Sequence, residues 1–151
     1  MMHDYSNWWI NSVVVIATLM AIGACVLVHF EGLISVYRKL PHISTPPRMR
    51  LIFVIGAILA LHIIEIWIFG IIEWLLLSVP GTGALAGQTQ LHILDIIYLS
   101  AVTFTTVGYG DLTPNGPIRF MLGTEALTGF VLITWSASFT YLEMERLWRR
   151  P

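Results

Sequence analysis

The residues best suited to bind a ligand form one short run, Thr105–Asp111, with the sequence TTVGYGD, which we call the glycine loop. Within it, Gly108 and Gly110 alternate with Val107 and Tyr109, so the backbone can adopt a positive φ at every second residue. Successive carbonyl oxygens can then point to the same side, which an ordinary helix or strand does not allow. Several such segments around one axis would stack oxygens that replace the water shell of a cation. The pattern therefore indicates cation binding by backbone carbonyls.

Ionisable residues inside apolar stretches form a second group that could do chemistry: His29, His62, Glu65, Glu73 and Glu125. At 100° per residue, the three that share one stretch (His62, Glu65 and Glu73) fall within an arc of about 80°. An ionisable group in hydrocarbon costs about 2.5 to 3.5 kcal/mol on insertion scales. These side chains are therefore expected to find partners.

Three interpretations of this group compete. The first is an interhelix hydrogen-bond cluster that docks the first apolar stretch, and the cost of unpaired charge favours it. The second is a pH-sensitive gate that acts through His62 or His29, because histidine titrates near neutrality. The third is a transition-metal site, since His29 and Glu31 are spaced His-x-Glu and His62 and Glu65 are spaced His-x-x-Glu.

The composition indicates that membrane-embedded elements position both groups. Of 151 residues, 56% are hydrophobic and 11% are charged, and the mean hydropathy is +0.77. A soluble domain carries about 25% charged residues, so an independent soluble enzyme is excluded. The net charge of −1 excludes a basic nucleic-acid binder. The single Cys25 excludes a disulfide framework and a multi-cysteine metal site.

Apolar runs predict three membrane-crossing helices and one half-length helix. The first run, Ile10–Val28, carries no charge and has about the 20 residues that a crossing needs. The run Leu91–Phe104 is too short to cross. The predicted fold is an all-α integral membrane protein with a re-entrant half-helix and loop. Its parts are an N-terminal transmembrane segment (1–40), a linker (41–50) and a larger domain (51–151) with outer helix 51–79, half-length helix 91–104, glycine loop 105–111 and inner helix 117–147.

Basic residues predict the orientation. Seven of the eight lie on two segments that three crossings place on one side: Arg38, Lys39, Arg48, Arg50, Arg146, Arg149 and Arg150. Cytoplasmic segments carry such an excess, so the protein is expected to cross the cell membrane with its N-terminus outside and its C-terminus in the cytoplasm. The basic tail is expected to attract anionic lipid. Residues 22–25 faintly resemble a lipoprotein cleavage box, but the apolar run continues beyond them, which favours a retained helix.

The glycine loop and its flanking segments resemble the pore domain of tetrameric potassium channels. The resemblance covers Leu51 to about Arg150 as outer helix, pore helix, selectivity filter and inner helix. The family's minimal pore has two crossing helices, so the first helix is an addition. The resemblance implies that K⁺ is bound by backbone carbonyls and one threonine hydroxyl, from Thr106, Val107, Gly108 and Tyr109.

The same resemblance implies roles around the filter. Gly110 shapes the outer mouth, Thr105 and Asp111 support the filter, and the charge of Asp111 concentrates cations. One loop per chain cannot surround an ion, so each chain is expected to assemble with three identical subunits. K⁺ is the implied permeant ion, and we expect no organic cofactor, no nucleic-acid partner and no catalytic residue.

The chain departs from the best-known bacterial channel of this type in the pore helix. Val102 stands where that protein has a glutamate, and an aromatic pair becomes Tyr98 and Leu99. We therefore expect Asp111 to lack its customary partners, which would affect the rigidity of the filter's outer end.

Two glycines interrupt the predicted inner helix. The family pattern places a gating hinge near Gly129, and Gly123 is a second candidate. Close helix packing through a small residue is the alternative role.

The predicted function is passive, K⁺-selective conduction, gated at the inner helix or the filter. Two alternatives stay open: a non-selective cation channel with the same fold, and a pore-like subunit of a K⁺ transport complex. No span carries arginine at every third position, so no voltage sensor of the usual kind is predicted.

Overall fold

The computed structural model describes residues 7–40, 46–87 and 90–148. In chain order its elements are α1 (Trp8–Lys39), α2 (Pro47–Leu77), β1 (Ala84–Ala86), α3 (Ile93–Phe104), β2 (Thr113–Asn115) and α4 (Arg119–Trp148). The helices α1, α2 and α4 are long and apolar enough to cross a membrane, whereas α3 has only 12 residues. At 1.5 Å per residue, α3 is about 18 Å long, near half the hydrocarbon thickness. The predicted all-α membrane fold is confirmed.

Three helices begin at residues other than those expected. The helix α2 begins at Pro47, because proline suits the first helical position, where its missing N–H is not needed. Residues 47–50 of the predicted linker therefore belong to α2, and its residues 41–45 lie outside the described residues. The helix α3 begins two residues late, after His92, whose backbone N–H donates to Asp95 Oδ2 at 2.8 Å. The helix α4 begins at Arg119 instead of residue 117.

A short antiparallel pair of strands joins the segment before α3 to the segment after the glycine loop. The sequence pattern does not predict this pair. Leu85 of β1 lies opposite Pro114 of β2. Gly83 precedes β1 with a φ of +138°, and a Cβ there would lie 2.2 Å from the Asn115 carbonyl oxygen. Glycine permits this close approach. The pairing ties both ends of the half-helix and loop unit to each other.

The helices α2 and α4 pack against α3, and α1 packs on the outside of this group. The helix α1 contacts α2 and α4, and α3 contacts both α2 and α4. The buried face of α1 contains small residues, among them Ala17, Ala21 and Cys25, none more than 8% exposed. Small residues let helices approach closely in a membrane. Large apolar side chains such as Leu59 and Leu127 stay exposed, which suits a surface that contacts lipid or other chains.

Candidate cation-binding site

The glycine loop (Thr105–Asp111) follows α3 directly and folds back on its last turn. The backbone N–H of Thr106 donates to the Thr103 carbonyl at 2.9 Å, and that of Gly108 donates to the Val102 carbonyl at 3.0 Å. These bonds hold the start of the loop at the C-terminal end of α3. The helix dipole makes that end favourable for a cation.

The loop backbone carries a positive φ at every second residue. The φ angles are +61° at Thr106, +54° at Gly108 and +79° at Gly110, and neither Val107 nor Tyr109 has a positive φ. Backbone in which positive and negative φ alternate can direct successive carbonyls to the same side. The residue types predict a positive φ at the two glycines but not at Thr106, although the two-residue period extends back to it. A non-glycine residue in the left-handed region costs about 1 to 2 kcal/mol, and such strain clusters at functional sites.

The glycine loop is exposed along its whole length in the single chain. Val107 is 53% exposed and Tyr109 is 71% exposed. Irregular backbone at membrane depth is tolerated only where protein buries it or where it lines a water-filled path. One copy of the loop can offer carbonyls to only one side of a cation. This exposure is expected of a loop whose cation site needs further loops, supplied by other chains.

The outer end of the loop is held by a contact that corrects the expectation for Asp111. The Tyr98 hydroxyl donates to Asp111 Oδ2 at 2.9 Å, so Asp111 has a partner. The long phenol side chain reaches from the middle of α3 to the loop's outer end. Gly87 approaches the same point, since a Cβ there would lie 2.1 Å from the Asp111 carbonyl oxygen. At the inner end, the Thr105 hydroxyl donates to the Ala101 carbonyl at 2.7 Å.

Glu73 of α2 and Glu125 of α4 form a buried carboxyl pair behind α3. They are 1% and 0% exposed, and each carboxyl group acts on the electrostatics of the other. Both Glu73 oxygens and Glu125 Oε2 lack a donor among the described residues. Two ionised carboxylates this close to each other would repel. The Ser100 hydroxyl lies 2.5 Å from Glu125 Oε1 and 2.9 Å from the Ile66 carbonyl oxygen.

A second polar group, the histidine group, consists of His29 of α1 with His62 and Glu65 of α2. His29 Nδ1 lies 2.8 Å from Glu65 Oε1, and His62 Nδ1 lies 2.8 Å from Glu65 Oε2. Ser136 of α4 places its Oγ 3.3 Å from His29 Nε2. His29 and Glu65 are fully buried, and the His62 side chain is 14% exposed. The group links α1 to α2, and Ser136 connects it to α4.

The structure thus divides the five ionisable residues of the sequence analysis into two groups. Glu73 shares a helix face with Glu65 but lies eight residues later, which is about 12 Å along the axis. It therefore meets Glu125 and not the histidines. Glu31 is exposed, and among the described residues it joins no metal-binding group with His29. The His29–Glu65 contact joins α1 to α2, as expected if a hydrogen-bond cluster docks the first helix.

Gly129 lies where α4 crosses the end of α3. A Cβ at Gly129 would lie 2.0 Å from the Phe104 carbonyl oxygen, whereas a Cβ at Gly123 would meet nothing within 4 Å. Close packing is therefore seen at Gly129. A hinge at either residue stays a prediction.

The chain is similar to several known proteins. A family model described as an ion channel matches residues 57–144, more than half of the chain. Protein LctB of Geobacillus stearothermophilus is 34% identical over 67 residues, which cover 44% of this chain and 50% of that protein. Protein LctB of Bacillus caldotenax is 44% identical over 48 residues, 31% of this chain and 36% of that protein.

Two pore potassium channel a of Oryza sativa subsp. japonica is 45% identical over 38 residues, which cover 25% of this chain and 11% of that protein. The chain therefore matches half or less of the length of each of these relatives. No solved structure matches it significantly.

Proposed function

The chain belongs to the ion channel family of potassium-channel pore domains, and from this premise we propose that it conducts K⁺ passively and selectively through the glycine loop. The observation that carries the proposal is the positive φ at Thr106, Gly108 and Gly110, in a loop between a half-length helix and a crossing helix. Such a backbone can present a column of carbonyl oxygens that replace the water shell of K⁺. The proposed ligands are the carbonyls of Thr106, Val107, Gly108 and Tyr109, with the Thr106 hydroxyl.

The proposed assembly is four identical chains around one axis. The exposed side chains of Val107 and Tyr109 support it, because in a tetramer neighbouring chains would cover them. Four copies of α3 would also direct the negative ends of their dipoles toward the axis. Mass measurement in mild detergent tests the assembly, and a monomer or dimer under conditions that preserve known tetramers would contradict it.

The protein is a multi-pass membrane protein, and the proposed orientation follows its basic residues. Arg38 and Lys39 lie in the last turn of α1, and Arg146 lies in the last turn of α4. With three crossings, both helix ends lie on one side, which the basic residues assign to the cytoplasm. Anionic lipid is the proposed partner of this surface.

Reversal potentials in reconstituted bilayers test the selectivity. When Na⁺ replaces K⁺ on one side, the reversal potential is expected to move toward the K⁺ equilibrium potential. A near-zero shift would instead identify a non-selective cation channel. Absence of current from a confirmed tetramer would favour a subunit that needs the rest of a transport complex.

The Tyr98 hydroxyl is expected to keep the outer end of the filter in place. Tyr98→Phe retains the ring but removes the donor to Asp111 Oδ2. Because Asp111 is exposed, water can replace this donor, so we expect normal assembly but a faster decline of K⁺ current during sustained opening. Recordings of single channels would measure this decline.

Tyr37→Phe is the matched control for that substitution. Tyr37 lies near the cytoplasmic end of α1, and its ring, which Arg146 overlies at 5.4 Å, is retained in phenylalanine. Its current is expected to match the wild type. Equal currents from Tyr98→Phe and Tyr37→Phe would remove the supporting role of Tyr98.

A further inference from the structure

We propose that the histidine group (His29, His62 and Glu65) binds a transition-metal ion of the Zn²⁺ class. Two imidazole nitrogens and one carboxylate oxygen converge from α1 and α2, and these atoms all lie within 4.8 Å of one another. Two histidines and one glutamate form a donor set that Zn²⁺ takes in proteins, with a fourth position left for water or another ligand. This goes beyond ion conduction, because the group lies outside the glycine loop.

The observed distances require only small adjustments to hold an ion. Each histidine Nδ1 lies 2.8 Å from a different oxygen of Glu65. Zinc–ligand bonds of about 2.0 to 2.2 Å in a tetrahedral arrangement separate the ligand atoms by about 3.4 Å. The 2.8 Å contacts must therefore lengthen by about 0.6 Å, and the longest separation, which is within 4.8 Å, must shorten by at most about 1.4 Å.

Ser136 gives His29 the outer partner that a metal-bound histidine typically has. Its Oγ lies 3.3 Å from His29 Nε2. A ligating histidine usually donates its other ring N–H to such an acceptor, which selects the tautomer. When Nε2 carries the hydrogen, Nδ1 presents a lone pair to Glu65 Oε1, and a cation between these two acceptors removes their repulsion.

The burial of Glu65 also favours a cation. Its side chain is 0% exposed within the crossing helix α2, and in the described part of the chain its ion-pair partners are the two histidines. A carboxylate at that depth needs compensating positive charge. A divalent ion supplies that charge and leaves both histidines neutral, the form in which they ligate.

His62 provides a route to the site. Its partly exposed side chain lines a groove of about 400 Å³ together with Ile133, Ser136 and Ala137. An ion can enter from this groove without separation of α1 from α2. Because His62 lies at the groove wall and His29 is buried behind it, His62 is expected to be the first ligand to meet the ion.

A metal ion in this site is expected to affect conduction, because the site lies close to the glycine loop. The His62 ring lies 5.9 Å from the Phe104 ring, centroid to centroid, and Phe104 is the last residue of α3 before the glycine loop. A metal that fixes the His62 ring therefore restrains a neighbour of the proposed filter. On the proposed function, Zn²⁺ is expected to change the K⁺ current in the wild type.

Zinc binding to the full chain, purified in detergent, tests the site. Equilibrium dialysis is expected to leave about one Zn²⁺ per chain, and Co²⁺ in its place is expected to give the visible absorption of a tetrahedral site. Glu65→Gln keeps the shape and the hydrogen-bonding capacity of the side chain but removes the anionic ligand. It and His29→Gln are expected to weaken Zn²⁺ binding by more than about 100-fold, and Ser136→Ala by about 10- to 100-fold.

His92→Gln is the matched control, since His92 lies at the start of α3 and outside the group. It is expected to leave Zn²⁺ affinity unchanged. Equal affinity of wild type and Glu65→Gln, or an equal loss in His92→Gln, would overturn the site. A wild-type protein that retains no Zn²⁺ after dialysis would also overturn it. Because binding is measured without ion flux, failure of the site and failure of the channel proposal are distinguishable.

Discussion

Gly108→Ala is expected to abolish K⁺-selective flux. Gly108 has a φ of +54°, and alanine in that region costs about 1 to 2 kcal/mol. Four copies in one filter would raise this cost to about 4 to 8 kcal/mol per assembly, enough to favour another loop conformation. A Cβ at this position meets nothing within 4 Å in the single chain, so within one chain the effect comes from backbone conformation and not from a clash. Flux into vesicles under K⁺ and Na⁺ gradients measures the loss.

Gly56→Ala is the matched control for this substitution. Gly56 lies within α2, where a Cβ also meets nothing within 4 Å and φ is negative. Alanine is favoured over glycine in a helix by about 1 kcal/mol, so assembly and flux are expected to be preserved. Wild-type selectivity in Gly108→Ala would contradict the filter assignment. Equal losses in both variants would indicate a general intolerance of substitution.

Gly129→Ala is expected to destabilise the contact between α4 and α3. Its Cβ would lie 2.0 Å from the Phe104 carbonyl oxygen and 2.9 Å from the Phe104 ring, so the backbone must move. Overpacking of this kind costs about 1 to 3 kcal/mol, against about 1 kcal/mol that alanine gains in a helix. Because Phe104 precedes the glycine loop, K⁺ flux is expected to fall together with the melting temperature of the assembly.

Gly123→Ala separates packing from a hinge. No atom lies within 4 Å of a Cβ at Gly123, so the melting temperature is expected to stay the same or to rise. A hinge role for Gly129 without packing would appear as altered open times in Gly129→Ala at an unchanged melting temperature. That result would contradict the close-packing role.

Most of the helical architecture was predictable, because its signals are local. The length and hydropathy of three apolar runs were sufficient to predict the crossing helices. The short length of the run 91–104 was sufficient to predict the half-length helix. Helix starts were less predictable. Pro46 and Pro47 are typical of a linker, although a proline at the first helical position is also a start signal, and Pro47 begins α2.

The candidate site was predictable in part. The alternation of Gly108 and Gly110 indicated their positive φ, but the left-handed conformation of Thr106 did not follow from residue type, since threonine avoids it. The Tyr98–Asp111 hydrogen bond was also not foreseen. It joins residues 13 apart, across the end of a helix and a turn, so its formation depends on where the loop folds back.

By itself, the sequence determined the fold class, the number of crossing helices and the position of the glycine loop, since each depends on composition or on neighbours within a few residues. Only the tertiary structure decided which buried ionisable groups meet. His29 and Glu65 are 36 residues apart, and His29 and Ser136 are 107 apart. Helical periodicity predicts the helix face on which a residue lies. The packing of α1 against α2 and α4 determines which positions along the helix axes come into contact. Their different positions along the helix axes separate the histidine group from the carboxyl pair of Glu73 and Glu125.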